Sequence, residues 1–522
     1  MKDRMRIFTS LIGLLTTLVG VSAQTAQPVP RLVVTVFIDQ LRSDYIEAFS
    51  PLYSQGGFDR LMKEGRVYGS VNYPLARIDR AAAISTLFTG TVPFNHGIVG
   101  EQWLDRATLR PVYCVDDYEH GFTPSNLAVT TLTDELKLAT SGRSLVYSFA
   151  PDREMAILSA GHAADGAFWV NEVNGEWTSA SFYGSTPGWF EYAAQTDPLS
   201  HRLGKLVYEP YSQEVAQFNY FLSNGLTTPF KHKFSYKDQY SSYKASPFIN
   251  DEMNLMVKSC LDNTTVGQDE ITDFISVSYY AGNFEHRSVL ERPLEMQDMY
   301  VRLDRSLKDL LDMLDDKVGL DKTLVVLTSS GAEEKVDVDM SAYKIPQGTF
   351  YMNRTSALLN MYFMATYGQG RYVDATFQNQ IYLNYKQFDE KQIDLNTAFE
   401  KARDFLLQCS GVKNVYTSRQ LLSGTSNTVL NLLRNNYNAK CSGDISVELL
   451  PGWNMINEEM QMFYRDYTTL ADFPLYFLGY QVVNEQVYTP VSIDVVAPTL
   501  ASFMRIRAPN ACTSAPLKGI RR

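Results

Sequence analysis

Three apolar runs constrain the fold of this chain more than any other feature. They cover residues 32–38, 274–280 and 323–328, and the first ends directly before Asp39. Strands that are apolar on both faces, rather than alternating, are typical of a parallel sheet with helices on both sides. The runs therefore predict central strands of an α/β sheet.

A helix is predicted between the second and third of these runs. Apolar residues recur there at helical spacing from Tyr300 to Leu314, and charged residues occupy the other positions. A strand, a helix and a second strand in this order imply parallel pairing in one sheet. The later segment Pro474–Gly479 is predicted to return to the same sheet.

Two stretches are predicted to be cap insertions in this core. The first runs from about 100 to 250 and contains Trp169, Trp177 and Trp189 among glycines and prolines. The second runs from about 339 to 450. The aromatic residues of the first stretch either form a contact surface for a partner or pack internally, and the sequence leaves both possibilities open.

The first 23 residues have the pattern of a secretory signal peptide. A basic head is followed by an apolar stretch, Ile7–Val21, and by the small residues Ser22 and Ala23. The stretch is shorter than the roughly 20 residues that span a bilayer. We expect cleavage after Ala23, leaving a domain of residues 24–522 that is periplasmic, secreted or associated with the outer membrane, without a transmembrane segment.

Charge and cysteine content exclude other classes of protein. The 522 residues carry a formal net charge of -11 and contain no run of lysine and arginine, so nucleic acid is not an expected partner. The five cysteines show no CxxC spacing, which gives no support to a thiolate metal site. A disulfide between Cys409 and Cys441 is our suggestion, although pairing cannot be deduced from sequence.

Seven segments, in order along the chain, carry a family resemblance. They are Val36–Tyr45, Gly56–Leu61, Thr89–Gly90, His96–Gly100, Asp165–Trp169, Leu303–Leu307 and Pro490–Leu500. The chain resembles the alkaline phosphatase superfamily, specifically its branch of PafA-like alkaline phosphatases and type I phosphodiesterases/nucleotide pyrophosphatases. The resemblance implies an α/β/α sandwich around a mostly parallel sheet. It also implies two zinc ions at the carboxyl ends of the strands, a Ser or Thr nucleophile at a helix start, and hydrolysis of phosphate esters.

The positions that match the family's zinc ligands are largely altered. Asp39 matches the first metal-binding aspartate. Asn283 stands where the family has a second aspartate, and His286 is one position early for the histidine that follows it. Ser329-Ser330-Gly331 replaces an Asp-His-Gly sequence. The last histidine of the chain is His286, so the family's final zinc-binding histidine has no counterpart in the matching segment Met462–Tyr467.

The positions that match the nucleophile and the phosphate-binding groups differ as well. Arg80 takes the place of the nucleophile, and Asp79 before it is expected to cap a helix. Glu101 replaces an asparagine, and Arg153 matches the arginine of a Lys-x-Arg pair that lacks its lysine. The vestigial site is therefore expected to comprise Asp39, Asp79, Arg80, Glu101, Arg153, Asn283, His286, Ser330 and Gly331. His96 and His162 are expected to be structural.

These losses meet in one pocket while the framework motifs persist, which indicates a pseudoenzyme with no catalytic residue. We expect no metal and no other cofactor, and we expect Arg80 to bind Asp39 in place of zinc. The predicted role is a binding or scaffolding component of a cell-envelope assembly, with envelope proteins as partners.

Two alternatives stay open. One is a metal-dependent phosphomonoesterase or phosphodiesterase with a rearranged site that uses Asp39, Asp79, Glu285 and His286. The other is a non-catalytic sensor of a phosphate-containing ligand that uses Arg80 and Arg153.

Overall fold

The computed structural model describes residues 28–218, 230–234, 237–332, 343–424, 427–459, 462–464 and 471–522. The predicted signal peptide, residues 1–23, and the predicted start of the second insertion at Asp339 lie outside these ranges.

The described ranges contain strands and helices that we number in chain order. The strands are β1 Leu32–Asp39, β2 Arg66–Asn72, β3 Gln102–Leu104, β4 Pro111–Tyr113, β5 Asp116–Asp117, β6 Gly121–Phe122, β7 Val146–Ala150, β8 Gly166–Val170, β9 Trp177–Ser179, β10 Val207–Tyr208, β11 His232–Lys233, β12 Asp273–Tyr280, β13 Thr323–Ser329, β14 Gly348–Tyr351, β15 Val373–Phe377, β16 Gln380–Leu383, β17 Val412–Thr417, β18 Ile445–Leu449, β19 Trp453–Asn457, β20 Met462–Tyr464, β21 Phe473–Gly479, β22 Glu485–Val487 and β23 Val491–Ser492. The α-helices are α1 Ser43–Ala48, α2 Phe58–Glu64, α3 Arg80–Thr89, α4 Pro93–His96, α5 Leu132–Ala139, α6 Arg153–Ala160, α7 Gly188–Thr196, α8 Leu199–Leu203, α9 Gln213–Gln217, α10 Gln239–Lys244, α11 Phe248–Asn263, α12 Pro293–Lys317, α13 Met352–Tyr367, α14 Tyr385–Glu390, α15 Leu395–Leu407, α16 Ser418–Leu422, α17 Thr428–Asn435 and α18 Val496–Met504. Short 3₁₀ helices cover Ser50–Leu52, Ser181–Tyr183, Phe284–His286 and Ile493–Val495.

A mostly parallel central sheet organises the molecule. Its strands follow the order β22-β2-β21-β13-β1-β12-β7-β8-β9, and β23 also pairs with β2. The three predicted central strands are confirmed as β1, β12 and β13, and β1 pairs in parallel with both of the others. The segment Pro474–Gly479 returns to the sheet within β21, which runs antiparallel to β13.

Helices cover both faces of this sheet because its strands are apolar on both sides. Val34, Val36 and Ile38 of β1 face one core, to which α11 and α12 contribute. Val33 and Phe37 face the other core, to which α3, α6 and α18 contribute. The predicted helix over Tyr300–Leu314 lies within α12, so the expected α/β sandwich is confirmed.

The first predicted cap insertion, from about 100 to 250, is wrong as one continuous insertion. Strands β7, β8 and β9 lie within it and belong to the central sheet. These strands have only three to five residues each and are separated by glycine-rich and proline-rich turns, which obscures their pattern. Trp169 is buried, and Trp189 packs against Phe149 and Phe168, so these rings pack internally.

The second predicted insertion, from about 339 to 450, corresponds to a region with its own hydrophobic core. That core runs from Phe350 to Met455 and is built from β14 to β19 and α13 to α15. In sequence, the region lies between β13 and β21, which are neighbouring strands of the central sheet. Asn436 fastens it to the main core, because its side chain accepts hydrogen bonds from the backbone of Ala76 and Arg77.

The suggested disulfide between Cys409 and Cys441 is wrong, since all five cysteines are free thiols. Cys409 packs against the core of the second region, whereas Cys441 packs against a core of the central sheet. None of the helices within the described ranges has the length and hydrophobicity to cross a membrane.

Candidate functional site

The candidate site lies at the carboxyl ends of the central strands. Asp39 is the last residue of β1, and it pairs in register with Tyr280 at the end of β12. Helices α3 and α6 both begin at this edge of the sheet, after residues 79 and 152. In parallel α/β sheets this edge is where ligands bind, and Asp39 is only 3% exposed there.

Asp79 starts α3 as the expected helix cap. Its side chain accepts hydrogen bonds from the backbone N–H groups of Ala81, at 2.8 Å, and Ala82, and also from that of Glu101 at 3.1 Å. Burial raises the pKa of Asp79. Its contacts are those of a structural residue that positions Arg80 at the first turn of the helix.

Arg80 lies among four carboxylates. Its Nε atom is 2.7 Å from Glu101 Oε1 and 2.6 Å from Glu154 Oε1. Its Nη1 atom is 3.3 Å from Asp152 Oδ2 and 4.0 Å from Asp39 Oδ2. Burial would lower the pKa of Arg80, but these four carboxylates raise it well above its ordinary value.

The prediction that Arg80 is the hydrogen-bonded partner of Asp39 is wrong. A separation of 4.0 Å is an ion-pair distance and is too long for a hydrogen bond. Glu101 and Glu154 lie closer to the Arg80 Nε atom than Asp39 lies to Nη1, and these two contacts are ion pairs without hydrogen-bond geometry at Nε. Arg80 is a cation shared by several acids rather than the dedicated partner of one.

Lys244 is a second cation of the site, which sequence reasoning missed. It ends α10 and forms an ion pair with Asp152, and its Nζ atom is 3.8 Å from Glu172 Oε2. Burial alone would raise the pKa of Asp152, but Lys244 and Arg80 bring it to about 2. Burial, which Arg80 only partly offsets, raises the pKa of Glu101 well above its ordinary value.

We call this group the Arg80 cluster. It consists of Asp39, Asp79, Arg80, Glu101, Asp152, Glu154 and Lys244. Carboxylates outnumber cations, so the cluster is acidic.

Arg153, which matches the arginine of the family's Lys-x-Arg pair, contacts a different set of residues from Arg80. Its guanidinium lies 4.0 Å from the centre of the Tyr113 ring and 4.8 Å from that of Phe122. It also forms an ion pair with Asp116 at 3.6 Å. Asp152 and Glu154, on either side of Arg153 in sequence, contact Arg80 instead. Successive side chains at the start of α6 point in different directions around the helix axis.

The loop after β12 places its polar residues apart from one another. Asn283 is buried, and its carbonyl accepts a hydrogen bond from the Tyr280 hydroxyl at 2.8 Å. His286 is exposed, with Nδ1 3.3 Å from that hydroxyl. Glu285 is half-buried and pairs with Arg292 at 3.1 Å.

Hydroxyl groups and a glycine complete the end of β13. The Ser330 hydroxyl accepts hydrogen bonds from the backbone of Gln40 at 3.0 Å and of Ala332 at 3.3 Å. Ser329 donates to the carbonyl of Leu41 at 3.0 Å. Gly331 has a φ of 64°, and a Cβ there would lie 2.7 Å from the Phe473 ring. These residues fasten the strand end to the loop after β1.

The two other histidines considered are structural, as expected. His96 is fully buried, accepts a hydrogen bond from the backbone of Ile98, and contacts the Thr86 hydroxyl at 3.3 Å. Burial lowers its pKa to about 3, so it stays neutral. His162 contacts Asp134 at 2.8 Å, and its hydrogen bond to Asp134 raises its pKa.

A mostly parallel sheet covered by helices on both faces, with Asp39 at the carboxyl end of its central strand, agrees with the fold of the alkaline phosphatase superfamily, and comparison with known proteins shows that the chain is a member of it. Within that class, the chain belongs to the family described as type I phosphodiesterase / nucleotide pyrophosphatase, whose model matches residues 33–470.

Individual relatives resemble the chain over almost its whole length. It is 27% identical over 537 residues to alkaline phosphatase PafA of Elizabethkingia meningoseptica, covering 97% of this chain and 98% of the relative. It is 28% identical over 505 residues to alkaline phosphatase PhoV of Synechococcus elongatus, covering 92% and 91%. The crystal structure of wild-type PafA matches with a TM-score of 0.80 and 26% identity, over 95% of this chain and 100% of that one.

The residues present do not fit the pair of zinc ions that the superfamily implies. The Arg80 guanidinium lies among the acids that a metal would need, and a fixed cation there repels a divalent ion. In the part of the chain that the structure describes, no group of three or more His, Cys, Asp or Glu residues is arranged to hold a metal ion. Asn283 and Ser330 offer neutral oxygens where zinc favours imidazole, thiolate or carboxylate.

Proposed function

We propose that this chain is an exported, non-catalytic member of the alkaline phosphatase superfamily that acts as a binding or scaffolding component of a cell-envelope assembly. The observation that carries the proposal is the position of Arg80, whose guanidinium is held by Glu101, Asp152 and Glu154 within 3.3 Å.

Three features of the Arg80 cluster oppose phosphoryl transfer. Arg80 supplies no hydroxyl for attack on phosphorus, and its charge competes with a metal ion. The surrounding carboxylates repel a phosphate dianion, whose binding requires cations or hydrogen-bond donors. Each feature alone would weaken catalysis, and here they coincide.

Zinc content and phosphatase activity test the proposal directly. The purified full chain is assayed for zinc by mass spectrometry and for hydrolysis of an aryl phosphate, with PafA as the positive control. We expect less than stoichiometric zinc and no turnover above that of Asp39→Ala purified in parallel. Stoichiometric zinc together with turnover that Asp39→Ala abolishes would show that the chain is a metal-dependent hydrolase.

The phosphate-sensor alternative is less well supported. It needs Arg80 and Arg153 to face a ligand, but carboxylates hold the first and aromatic rings cover the second. We expect inorganic phosphate to leave the melting temperature of the protein unchanged. A rise in melting temperature that Arg80→Met removes would favour the sensor.

A binding role is supported by two exposed apolar residues beside the Arg80 cluster. Tyr118 is fully exposed between β5 and β6, in the hairpin whose Asp116 pairs with Arg153. Val173 is 83% exposed between β8 and β9, next to Glu172, which lies near Lys244. Exposed aromatic and aliphatic side chains of this kind provide apolar contact area for a partner.

Affinity capture from the native cell envelope tests this surface. A Tyr118→Ser, Val173→Ser double variant is compared with Tyr488→Ser, which removes a comparably exposed ring elsewhere. We expect the double variant to lose a protein that the wild type and Tyr488→Ser both retain. Equal capture by all three proteins would contradict a docking role for this surface.

A further inference from the structure

Among the residues that the structure describes, four hydroxyl groups on side chains that are at most 3% exposed have no hydrogen-bond partner. They belong to Thr35, Ser85, Ser276 and Ser278, whose exposed fractions are 3%, 0%, 1% and 0%. A hydroxyl removed from water without a replacement partner destabilises a folded protein, and buried hydroxyls in native structures are therefore usually bonded. Four such groups in one molecule need an explanation.

Three of these hydroxyl groups lie on one face of two neighbouring strands. Thr35 on β1 pairs in register with Ser276 on β12, and Ser278 follows two positions later on the same face of β12. Ser276 is in turn level with Ser148 on β7. The Ser148 hydroxyl already has a partner in Ser159 on α6, at 2.7 Å. A polar row therefore crosses the sheet beneath the helices.

The fourth hydroxyl, that of Ser85, belongs to α3, which packs on the same side of the sheet as this row. The Phe88 ring of this helix contacts Phe274 of β12 with ring centres 6.0 Å apart, while Arg80 at its other end reaches the Asp39 region. Ser85 lies between these two points and is fully buried. The first turn of the helix presents alanines to the core, which allows the helix to lie close to the sheet.

We propose that one or two ordered water molecules occupy the seam between α3 and the sheet and bind the hydroxyls of Thr35, Ser85, Ser276 and Ser278. A buried water makes about three hydrogen bonds, and globular proteins hold about one per 27 residues, so four buried hydroxyls suit one or two waters. Thr35 and Asp39 share a face of β1 and are four residues apart, so this water site lies on the same side of the sheet as Asp39. It does not depend on whether the chain is catalytic.

Two threonine-to-valine variants, which replace a hydroxyl by a methyl group of similar size, test the water site. Thr35→Val removes a hydroxyl of the seam. Thr328→Val is the matched control, because Thr328 is equally buried on β13 and donates to the carbonyl of Pro474 at 3.2 Å. We expect both variants to lower the melting temperature by similar amounts, since each loses one satisfied hydrogen bond.

A crystal structure of the full chain, at a resolution that reveals ordered water, is the second measurement. We expect electron density for a water within hydrogen-bond distance of at least two of the four hydroxyls. A melting temperature that rises or stays unchanged in Thr35→Val, while Thr328→Val is destabilised, would overturn the proposal. A seam without water density in the crystal would overturn it as well.

Discussion

Replacing Arg80 with methionine removes the central charge of the site and keeps a long side chain. The guanidinium lies within 4.0 Å of four carboxylates. The side chains of Glu154 and Asp39 are the most buried of these, at 1% and 5% exposure. In the variant, Glu154 loses the positive charge of Arg80, whereas Asp152 keeps its ion pair with Lys244.

The expected loss of stability follows from the cost of protonating a buried acid. A buried carboxylate that has lost its cation can stay charged, at a cost of several kcal/mol, or it can take up a proton. The state with the lower free energy sets the upper limit of the lost stability. For a glutamate of ordinary pKa, about 4.3, protonation costs about 3.7 kcal/mol at pH 7 and about 1 kcal/mol at pH 5. We expect Arg80→Met to lower the free energy of unfolding by about 3 to 4 kcal/mol at pH 7 and by about 1 kcal/mol at pH 5.

The sign of the pH dependence distinguishes this cause from simple loss of packing. A carboxyl group whose pKa is raised by folding favours the folded state below its unfolded pKa, and it loses that contribution as the pH rises. A packing defect would cost the same at both pH values.

Urea unfolding at pH 5 and pH 7, followed by circular dichroism, measures both quantities. Lys63→Met is the control, because Lys63 pairs with Asp59 at 2.8 Å but is 71% exposed. It should change stability by less than about 0.5 kcal/mol at either pH. If Arg80→Met is as stable as the wild type at pH 7, or loses the same amount at both pH values, the electrostatic account of the site is refuted.

Four further predictions follow from the same structure. Because folding raises the pKa of Glu101, the contribution of this residue to stability declines as the pH rises above about 4.5. The melting temperature of Glu101→Gln should therefore rise relative to that of the wild type between pH 4 and pH 8. A difference in melting temperature that stays constant over this range would contradict the prediction. Because folding lowers the pKa of Asp152 to about 2, Asp152→Asn should lower the free energy of unfolding by about 2 to 3 kcal/mol near neutral pH in urea. This loss should shrink as the pH falls below the ordinary aspartate pKa. No loss at neutral pH would mean that the ion pairs of Asp152 do not stabilise the fold. Asn436→Ala should speed protease cleavage of the second region, since two backbone N–H groups lose their acceptor; unchanged cleavage would mean that other contacts fasten it. Alkylation of the unfolded chain without reductant should label all five cysteines by mass spectrometry, and a shortfall of two would reveal a disulfide.

The central strands were predictable because burial on both faces leaves a direct mark on the sequence. Strands β1 and β12 are eight residues long and buried along their whole length, so each leaves a long run that is mostly apolar. Strands β7 and β8 are equally buried but have five residues each, and a run that short next to glycines does not stand out from a loop. Length, rather than hydrophobicity, decided which strands could be found.

The contacts of the site fall into local ones, which the sequence predicts, and ones between residues far apart in sequence, which it does not. The Asp79 cap was predictable, since a helix cap depends on residues two or three positions away. The orientation of Arg153 was not predictable, because which of residues 152, 153 and 154 faces Arg80 depends on where the first turn of α6 begins. Lys244 reaches Asp152 from a helix far away in sequence, and no local pattern in the chain indicates that approach.

The changes at the site compensate one another in charge. Arg80 adds a cation at the position that resembles the family's nucleophile. Asp152 and Glu154, on either side of Arg153, add two acids that lie 3.3 and 2.6 Å from Arg80. Either change alone would leave a buried charge without a partner, at a cost of several kcal/mol. Together they balance the buried charges, and under the proposed function they leave an acidic pocket that disfavours a phosphate dianion. The reversed charge of the pocket, rather than the loss of any single zinc ligand, is therefore the main physical argument for a non-catalytic role.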